Sequence, residues 1–427
     1  MEVEKVNIID ELEWRGAINQ QTDEEGLRKL TEEESIALYC GIDPTGDSMH
    51  IGHLIPFMIL KRFQLAGHQP VVLIGGGTGS IGDPSGRTSE RSLQTMEQIQ
   101  DNADKLSAQM RKLFQAGEAE SGIRLTNNID WLGDMTFLDF LRDFGKEFSI
   151  NTMLAKDVVA SRLDTGISFT EFSYQIIQSI DFLHLYKNEK VQLQVGGSDQ
   201  WGNITSGLDL IRKKEGSEAE AYGLTIPLLL KADGAKFGKT ADGAVWLDPE
   251  KTTPYEFYQF WFNQDDRDID KYLKYFTFLS KEEIEDLAEQ TEKEPHKRAA
   301  QKVLAEEMTR FVHGQEALDE AIEISEALFS GNVQNLSADQ IELSFNDVPA
   351  MEAPREEVDI ISFLVDVTEI SPSRRQARED VKNGAIYLKG ERIQDVGHTV
   401  SEADSYDGRF ILVRRGKKRY FMVHLIN

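Results

Sequence analysis

Ile36-Ala37-Leu38-Tyr39-Cys40-Gly41-Ile42, closed by Asp43-Pro44-Thr45-Gly46, decides how this chain folds. Seven uncharged, mostly apolar residues read as a short buried strand, and the Asp-Pro-Thr-Gly cluster ends it in a turn. A helical stretch follows from Leu54 to Leu65 and stops at Ala66-Gly67. Pro70-Val71-Val72-Leu73-Ile74 then reads as a second apolar strand running into a glycine-rich loop. Short apolar strands alternating with helices predict an α/β fold with a parallel sheet covered on both faces. Ligands of such sheets bind at the carboxyl ends of the strands, where the polar, glycine-rich segments of this chain fall.

Outward from that core the pattern changes. Residues 1–35 read as amphipathic helical material. From about 250 to 330 the chain is helical and highly charged. Residues 331–355 hold Gly331, Asn332, Asn335, Asn346, Pro349 and Pro354 without a sustained period and read as a linker. The remainder reads as a small basic α+β module. The expected organisation is a catalytic domain over 1–248, a helical domain over 249–330, the linker 331–355 and a terminal domain over 356–427.

A chain of 427 residues exceeds one ordinary domain. Its 28% charged and 40% hydrophobic residues suit a soluble globular protein, and no apolar window reaches membrane-spanning length. Met1-Glu2-Val3-Glu4-Lys5 lacks the basic and apolar regions of a signal peptide. The single cysteine, Cys40, leaves no disulfide framework, so a cytoplasmic location with no membrane partner is expected. The net charge of −27 repels nucleic acid on average. Residues 372–427, however, carry 12 Lys/Arg against 7 Asp/Glu, a local excess of positive charge.

His50-Ile51-Gly52-His53 sits between the strand-ending turn and an apolar helix. Histidines at i and i+3 share one face at a helix N-terminus, Gly52 lets a flat ring approach, and the exposed N–H groups there favour phosphate. Taken alone, the pair is equally two surface or metal-binding histidines. About 180 residues on, Lys236-Phe237-Gly238-Lys239-Thr240 follows a turn-prone Ala232-Asp233-Gly234-Ala235 and forms a cationic loop suited to a pyrophosphate leaving group. Gly77-Thr78-Gly79-Ser80-Ile81-Gly82 meets the dinucleotide pattern G-x-G-x-x-G. It is followed by Asp83-Pro84-Ser85-Gly86, which prolongs the loop where that fingerprint needs a helix, and no Gly-Lys-Ser/Thr completes a Walker A loop.

Tyr174, Gln178 and Asp181 stand at i, i+4 and i+7 of a helical stretch, so they stack on one face. They read either as a solvated stripe or as a pocket for a zwitterionic aromatic amino acid. Gln194 to Asn203 reads as a strand entering a polar turn whose Asp199 and Gln200 suit ribose hydroxyls and a substrate carboxylate, or a structural Asx-turn. Arg374 and Arg378 lie at i, i+4 of a capped helix, and Arg414-Arg415-Gly416-Lys417-Lys418-Arg419 is a basic cluster suited to RNA phosphates. Arg212-Lys213-Lys214 is either a solvated helix end or a second RNA contact.

The His50-Ile51-Gly52-His53 and Lys236-Phe237-Gly238-Lys239-Thr240 pair resembles the HIGH and KMSKS motifs of class I aminoacyl-tRNA synthetases, the second in its tyrosyl form. The resemblance runs from about Tyr39 to the C-terminus and implies a Rossmann-like catalytic domain, an α-helical domain and an S4-like RNA-binding tail. It implies that His50, His53 and Thr45 stabilise the α-phosphate of ATP and that Lys236, Lys239, Thr240, Arg87 and Arg91 hold pyrophosphate. Tyr174 and Gln178 are implied to hold the ammonium of tyrosine, and Tyr39 and Asp181 its phenol. Asp43, Thr78, Asp83, Asn128 and Gln200 are implied to surround the rest of the amino acid. Cys40, Gly41, Gly52, Gly197 and Asp199 are implied around the ATP, which enters with Mg2+ and no protein metal site. Arg212, Lys213, Arg374, Arg375, Arg378, Arg414, Arg415, Lys417 and Lys418 are the implied tRNA contacts, and a homodimer the implied assembly. A tryptophanyl relative, or a catalytically idle RNA-binding relative, is the alternative.

Overall fold

The computed structural model describes residues 6–86, 92–115, 122–240, 243–330, 332–345, 348–416 and 419–426, with backbone only at 239 and 240. Arg87, Arg91, Lys417 and Lys418 therefore lie outside the described residues, as do the side chains of Lys239 and Thr240. The chain divides into two compact units, Met1–Thr252 with Phe260–Val312, and Thr253–Gln259 with His313–Asn427.

In the first unit, helices α1 (Ile8–Trp14) and α2 (Glu24–Glu33) flank β1 (Gln20–Gln21). There follow β2 (Ala37–Ile42), α3 (Ile51–Leu65), β3 (Gln69–Ile74), α4 (Met96–Gln115), β4 (Arg124–Asn127), α5 (Phe169–Glu189), β5 (Val191–Gly197), α6 (Trp201–Glu215) and β6 (Tyr222–Ile226). The sheet order is β1-β6-β5-β2-β3-β4. All neighbours pair in parallel except β1, which runs antiparallel to β6. The expected parallel sheet is thus present. Its strand order leaves β2 in one direction through β3 and β4, and β5 in the other through β6. The carboxyl ends of β2 and β5 consequently stand side by side at a topological switch point, where open α/β sheets bind ligands.

The core fills the space between sheet and helices with Tyr39, Val71, Leu73, Ile176, Ile180, Phe182 and Val191. Gly207 on α6 lets that helix close on α5: a Cβ there would lie 3.0 Å from the Phe182 ring. The segment between β4 and α5 folds into short helical turns. Just before α5, Arg162 forms a buried, two-pronged ion pair with Glu171, at 2.9 and 3.3 Å, and donates to the carbonyl of Gly166. Ser168 caps α5 by accepting the N–H of Glu171. Further along come β7 (Lys239–Thr240), β8 (Gly243–Ala244), and helices α7 (Pro254–Phe262), α8 (Asp266–Phe276), α9 (Lys281–Lys293) and α10 (Ala299–His313). Arg15 and Arg62, both buried, donate to carbonyls of Lys274, Thr277 and neighbours at the carboxyl end of α8 and share Glu11 as counter-ion. Such carbonyls lack intrahelical donors, and cations are favoured there.

The second unit contains α11 (Gln315–Ser330), α12 (Ala338–Ser344), β9 (Ala350–Pro354), β10 (Val358–Asp359), α13 (Arg374–Lys382), β11 (Ile386–Leu388), β12 (Glu391–Ile393), β13 (Thr399–Val400), β14 (Phe410–Arg415) and β15 (Arg419–Ile426). A sheet of order β12-β11-β14-β15-β9 packs Ile386, Leu388, Ile411 and Val413 against Ala377 and Val381 of α13. The stretch 331–355, expected as a linker, supplies α12 and β9, and β9 pairs in parallel with β15. Val333, Leu336 and Ile341 enter a core with Phe410 and Met422. These elements are too short to produce a period, and Pro354 is tolerated because β9 is the sheet edge. The helical stretch 249–330 is shared between the two units and does not form one of its own.

The ion pair at the foot of α5 gives a direct test of packing. Arg162→Ala strands the Glu171 carboxylate in the core and should destabilise the chain by about 3–5 kcal/mol in urea unfolding. A loss within experimental error would show that the carboxylate reaches water.

Candidate active site

At the switch point the ends of β2 and β5 and the inner face of α5 enclose a cavity of about 220 Å³. Its walls include Tyr39, Cys40, Gly41, Asp43, Thr45, His53, Thr78, Asp83, Tyr174, Gln178, Asp181, Gly197 and Gln200. Tyr174, Gln178 and Asp181 share the inward face of α5 and all three line this cavity.

Asp181 is wholly buried. Its Oδ2 accepts from Asn128 Nδ2 at 3.0 Å and its Oδ1 from Trp131 Nε1 at 2.9 Å. Burial pushes its carboxyl up to about 7 against these two donors. Asn128 also donates to Thr78 Oγ1 at 2.9 Å, and its own Oδ1 accepts the N–H of Gly77 at 2.8 Å. Thr78 in turn donates to Asp43 Oδ1 at 2.6 Å, and Tyr174 donates to Asp43 Oδ2 at 2.9 Å. One hydrogen-bonded chain therefore joins β2, the loop after β3, the end of β4 and α5. The G-x-G-x-x-G segment serves this chain: Thr78–Ser80 is a 3-10 turn, and among the described residues the next helix starts at Met96. Gly75 is required there, since a Cβ would collide with Asp43.

Two buried polar atoms of residues that line this cavity have no hydrogen-bond partner among the described residues: Tyr39 Oη and Gln178 Oε1. Burial and the nearby Asp181 raise the Tyr39 phenol well above its ordinary range, so it remains protonated. A buried group left unpaired costs about 1–3 kcal/mol, and both residues line a space able to hold a ligand. On the β5 side, Gln200 Nε2 donates to Asp83 Oδ2 at 2.8 Å and Asp199 Oδ2 at 3.2 Å. Burial raises the Asp199 carboxyl, opposed by Gln200 and by the charge of Lys236, which therefore acts on this end of the site. Cys40 is buried and its thiol is pushed up to about 12, chiefly by burial and then by Asp199, so it is a neutral wall of the pocket.

Helix α3 starts three residues earlier than the apolar pattern predicts, and its two histidines cap it. His50 Nδ1 accepts the N–H of Gly52 at 3.1 Å, and His53 Nδ1 accepts the N–H of His50 at 3.2 Å. The rings stack with centroids 3.9 Å apart. A neutral ring whose Nδ1 accepts must carry its proton on Nε2, so each histidine presents an Nε2–H. Gly52 fits under the His50 ring, where a Cβ would lie at 2.9 Å. Gly238 (φ 93°) approaches it from the other motif: a Cβ on Gly238 would lie 3.3 Å from the Gly52 nitrogen. The two sequence motifs therefore meet backbone to backbone.

Sequence reasoning missed Trp131, which holds Asp181 and stacks on His184 at 4.1 Å, and Trp246, which lies edge-on to His50. Neither carries a local pattern; only three-dimensional convergence identifies them. Among the basic residues, Arg212 and Lys213 are exposed at the end of α6, and Lys213 donates to the carbonyl of Glu147. Arg415 is held by Asp380 and the carbonyl of Ile370, Arg414 lies 3.7 Å over the Tyr387 ring, and Arg374 binds Asp366. Arg375 and Arg378 are exposed on α13.

The Asp181 environment has a sign that can be checked. Its carboxyl titrates near 7 in the fold and near 3.9 unfolded. Between those values the unfolded chain has lost a proton that the folded chain keeps. The stabilisation from this group is therefore complete below about pH 4 and lost as pH rises to 7. Relative to Asp181→Asn, the parent should lose up to about 4 kcal/mol between pH 4 and 7.5, read by urea unfolding at each pH. A difference constant with pH would show the carboxyl ionised throughout.

Residues 31–330 match the family model described as tRNA synthetases class I (W and Y), and residues 340–423 match the Tyrosine--tRNA ligase SYY-like C-terminal domain. Tyrosine--tRNA ligase 2 of Bacillus cereus is 68% identical over 420 residues, covering 98% of this chain and 100% of the relative. Tyrosine--tRNA ligase of Lactiplantibacillus plantarum is 66% identical over the same length and coverage. Among solved structures, the C-terminally truncated Aspergillus nidulans mitochondrial tyrosyl-tRNA synthetase superposes with a TM-score of 0.69 at 33% identity, over 77% of this chain and 96% of that one.

Proposed function

We propose how this site joins L-tyrosine to tRNA. The chain belongs to the class I tRNA synthetases of the tryptophan and tyrosine group, and its activity is that of a tyrosine–tRNA ligase. The observation that carries our reading of the pocket is the pair of buried, unpartnered atoms, Tyr39 Oη and Gln178 Oε1. A tyrosine zwitterion satisfies both. Its phenol lies between Tyr39 and Asp181, and its ammonium is accepted by Gln178 and the Tyr174 hydroxyl, with Asp43, Thr78, Asp83, Asn128 and Gln200 fixing the surroundings. A tryptophan indole offers no hydroxyl to the Tyr39–Asp181 pair, which disfavours the tryptophanyl alternative.

ATP lies across the start of α3. The ribose meets Asp199 beside Cys40, Gly41 and Gly197, and the adenine end passes over Gly52. The substrate carboxylate attacks the α-phosphorus, the bond to the β-phosphate breaks, and pyrophosphate leaves. The Nε2–H groups of His50 and His53, with the Thr45 hydroxyl, donate to the α-phosphate as its charge develops. Lys236, Lys239, Thr240, Arg87 and Arg91 take the pyrophosphate. No side chain acts as nucleophile, so rate comes from positioning and charge stabilisation. Mg2+ enters on the ATP phosphates; among the described residues no three His, Cys, Asp or Glu side chains converge as a metal site. A ribose hydroxyl of the tRNA's terminal adenosine then attacks the tyrosyl carbonyl, and AMP leaves with the mixed anhydride bond broken.

The tRNA meets Arg375 and Arg378 of α13, assisted by Arg374, Arg414, Lys417 and Lys418, with Arg212 and Lys213 toward the acceptor end. The match of residues 340–423 to a tyrosine-ligase C-terminal domain supports this side. A second copy of the chain covers exposed apolar side chains of the stretch 137–169, among them Phe137, Leu138, Ile150, Leu163 and Phe169. The cytoplasm is the compartment that supplies these substrates, and no described helix is long and apolar enough to cross a membrane.

Pyrophosphate exchange into ATP tests the reading: tyrosine should support it and tryptophan should not, while exchange with tryptophan alone would overturn it. Tyr39→Phe should raise the KM for tyrosine about tenfold with the KM for ATP unchanged. Arg375→Glu with Arg378→Glu should lower tRNA charging at least tenfold and leave exchange intact. Equal loss of both activities would place those arginines elsewhere.

A further inference from the structure

The lysine loop must deliver Lys236 to the phosphates within a narrow tolerance, and the structure contains a device for it in α8. Asp268, on the first turn of that helix, is 4% exposed. Its Oδ2 accepts the backbone N–H of Ala232 at 2.9 Å, and its Oδ1 accepts Lys271 Nζ at 2.8 Å. Lys271 Nζ also donates to the carbonyl of Leu230. Capping of α8 itself falls to Asp265, which accepts the N–H of Arg267. The Asp268 carboxylate is thus turned outward to the loop and away from its own helix end.

Further along α8, Tyr272 and Phe276 each pack on Phe237 with ring centroids 5.0 Å apart, joined by Trp261 at 5.7 Å. Between these two grips the chain makes a turn, with Lys231 N–H bonded to the Ala235 carbonyl at 2.8 Å and Leu230 bridged to Lys236. Lys236 is exposed between two fixed points, and the left-handed Gly238, two residues on, lies against the backbone of Gly52. α8 therefore holds both the root of the loop, through a carboxylate, and its apolar anchor, through a ring cluster.

We propose that Asp268 is a positioning residue for adenylate formation: by holding the backbone at Ala232 it sets where Lys236 meets the substrate phosphates. This rests on the ATP-activation reading of the site. Asp268 touches no reacting group. It acts on phosphate handling through Lys236 and is separate from the tyrosine pocket on α5.

The test uses the full chain with Asp268→Ala, Asp268→Asn and Lys271→Met. Tyrosine-dependent pyrophosphate exchange is measured per tyrosine-binding site, with tyrosine affinity taken from equilibrium dialysis. Asp268→Ala should lower kcat by about 10- to 100-fold and raise the KM for pyrophosphate, with tyrosine affinity within twofold of the parent. Asp268→Asn keeps an oxygen for the Ala232 N–H and should recover most of kcat. Should Asp268→Ala fail to fold, Lys271→Met, which frees Asp268 Oδ1 and the Leu230 carbonyl at the root of the loop, must lower kcat in the same direction and by less, with tyrosine affinity unchanged. An unchanged kcat per site, or tyrosine affinity falling in step with kcat, would overturn the assignment. A parent chain that exchanges no pyrophosphate with tyrosine would instead sink the underlying activity, and it would do so before any variant is compared.

Discussion

A carboxylate in a protein core must have every oxygen accounted for, and at Asp181 that requirement organises the whole first unit. Its two donors, Asn128 and Trp131, come from the segment after β4. Asn128 then has an amide hydrogen and an oxygen left to satisfy, and it does so on Thr78 and the Gly77 nitrogen. Thr78 passes the demand to Asp43, and Asp43 to Tyr174, which returns to the helix where the chain of bonds began. Each link is short because a low-dielectric surrounding makes an unmet one expensive. What stays unmet within this network, Tyr39 Oη and Gln178 Oε1, belongs to residues that line the same cavity.

Much of this was legible from sequence where function and local period coincide. Tyr174, Gln178 and Asp181 repeat at helical spacing, so their common face follows from 3.6 residues per turn. The β2 and β3 strands are apolar runs between turn signals, and the parallel sheet follows from their alternation with helices. Other features depend on distance along the chain. Trp131 is one aromatic in an irregular segment, and nothing near it marks a partner 50 residues away. Residues 331–355 carry turn residues at the joints of elements too short to show a period, so their part in a packed core appears only when β9 pairs with β15. The boundary expected after residue 248 sets 260–312 apart from the sheet, whereas that stretch shares a unit with it, its aromatic side chains packing on Phe237.

Charge needs the same separation of roles. The chain carries −27 overall, yet its terminal module is locally basic, and a count of arginines there overstates what can meet a polyanion. Arg415 is committed to Asp380 and a main-chain carbonyl, Arg414 to the face of Tyr387, and Arg374 to Asp366. Arg374 and Arg415 thus have donors engaged within the module, and Arg414 is held by a ring with its Nε unpartnered. Arg375 and Arg378, exposed on one helix, keep theirs directed to solvent. Long-range repulsion from the rest of the chain is screened within about 10 Å at ordinary salt, so a small basic face can act independently of the acidic total.

The two motifs of the nucleotide site illustrate why glycine recurs where they meet. His50 must lie across the first turn of α3 to cap it, which leaves no room for a side chain at position 52. The lysine loop must come within van der Waals distance of that same backbone, and Gly238 allows it in a left-handed conformation that also turns the chain toward β7. The histidine cap and the lysine loop thus meet at the backbone of Gly52 and Gly238, and backbone N–H groups at a helix start are the groups that phosphate prefers. The lysine loop is held at two points, since Phe237 is packed among rings and the Ala232 N–H is bound by a carboxylate, and Lys236 lies exposed between them.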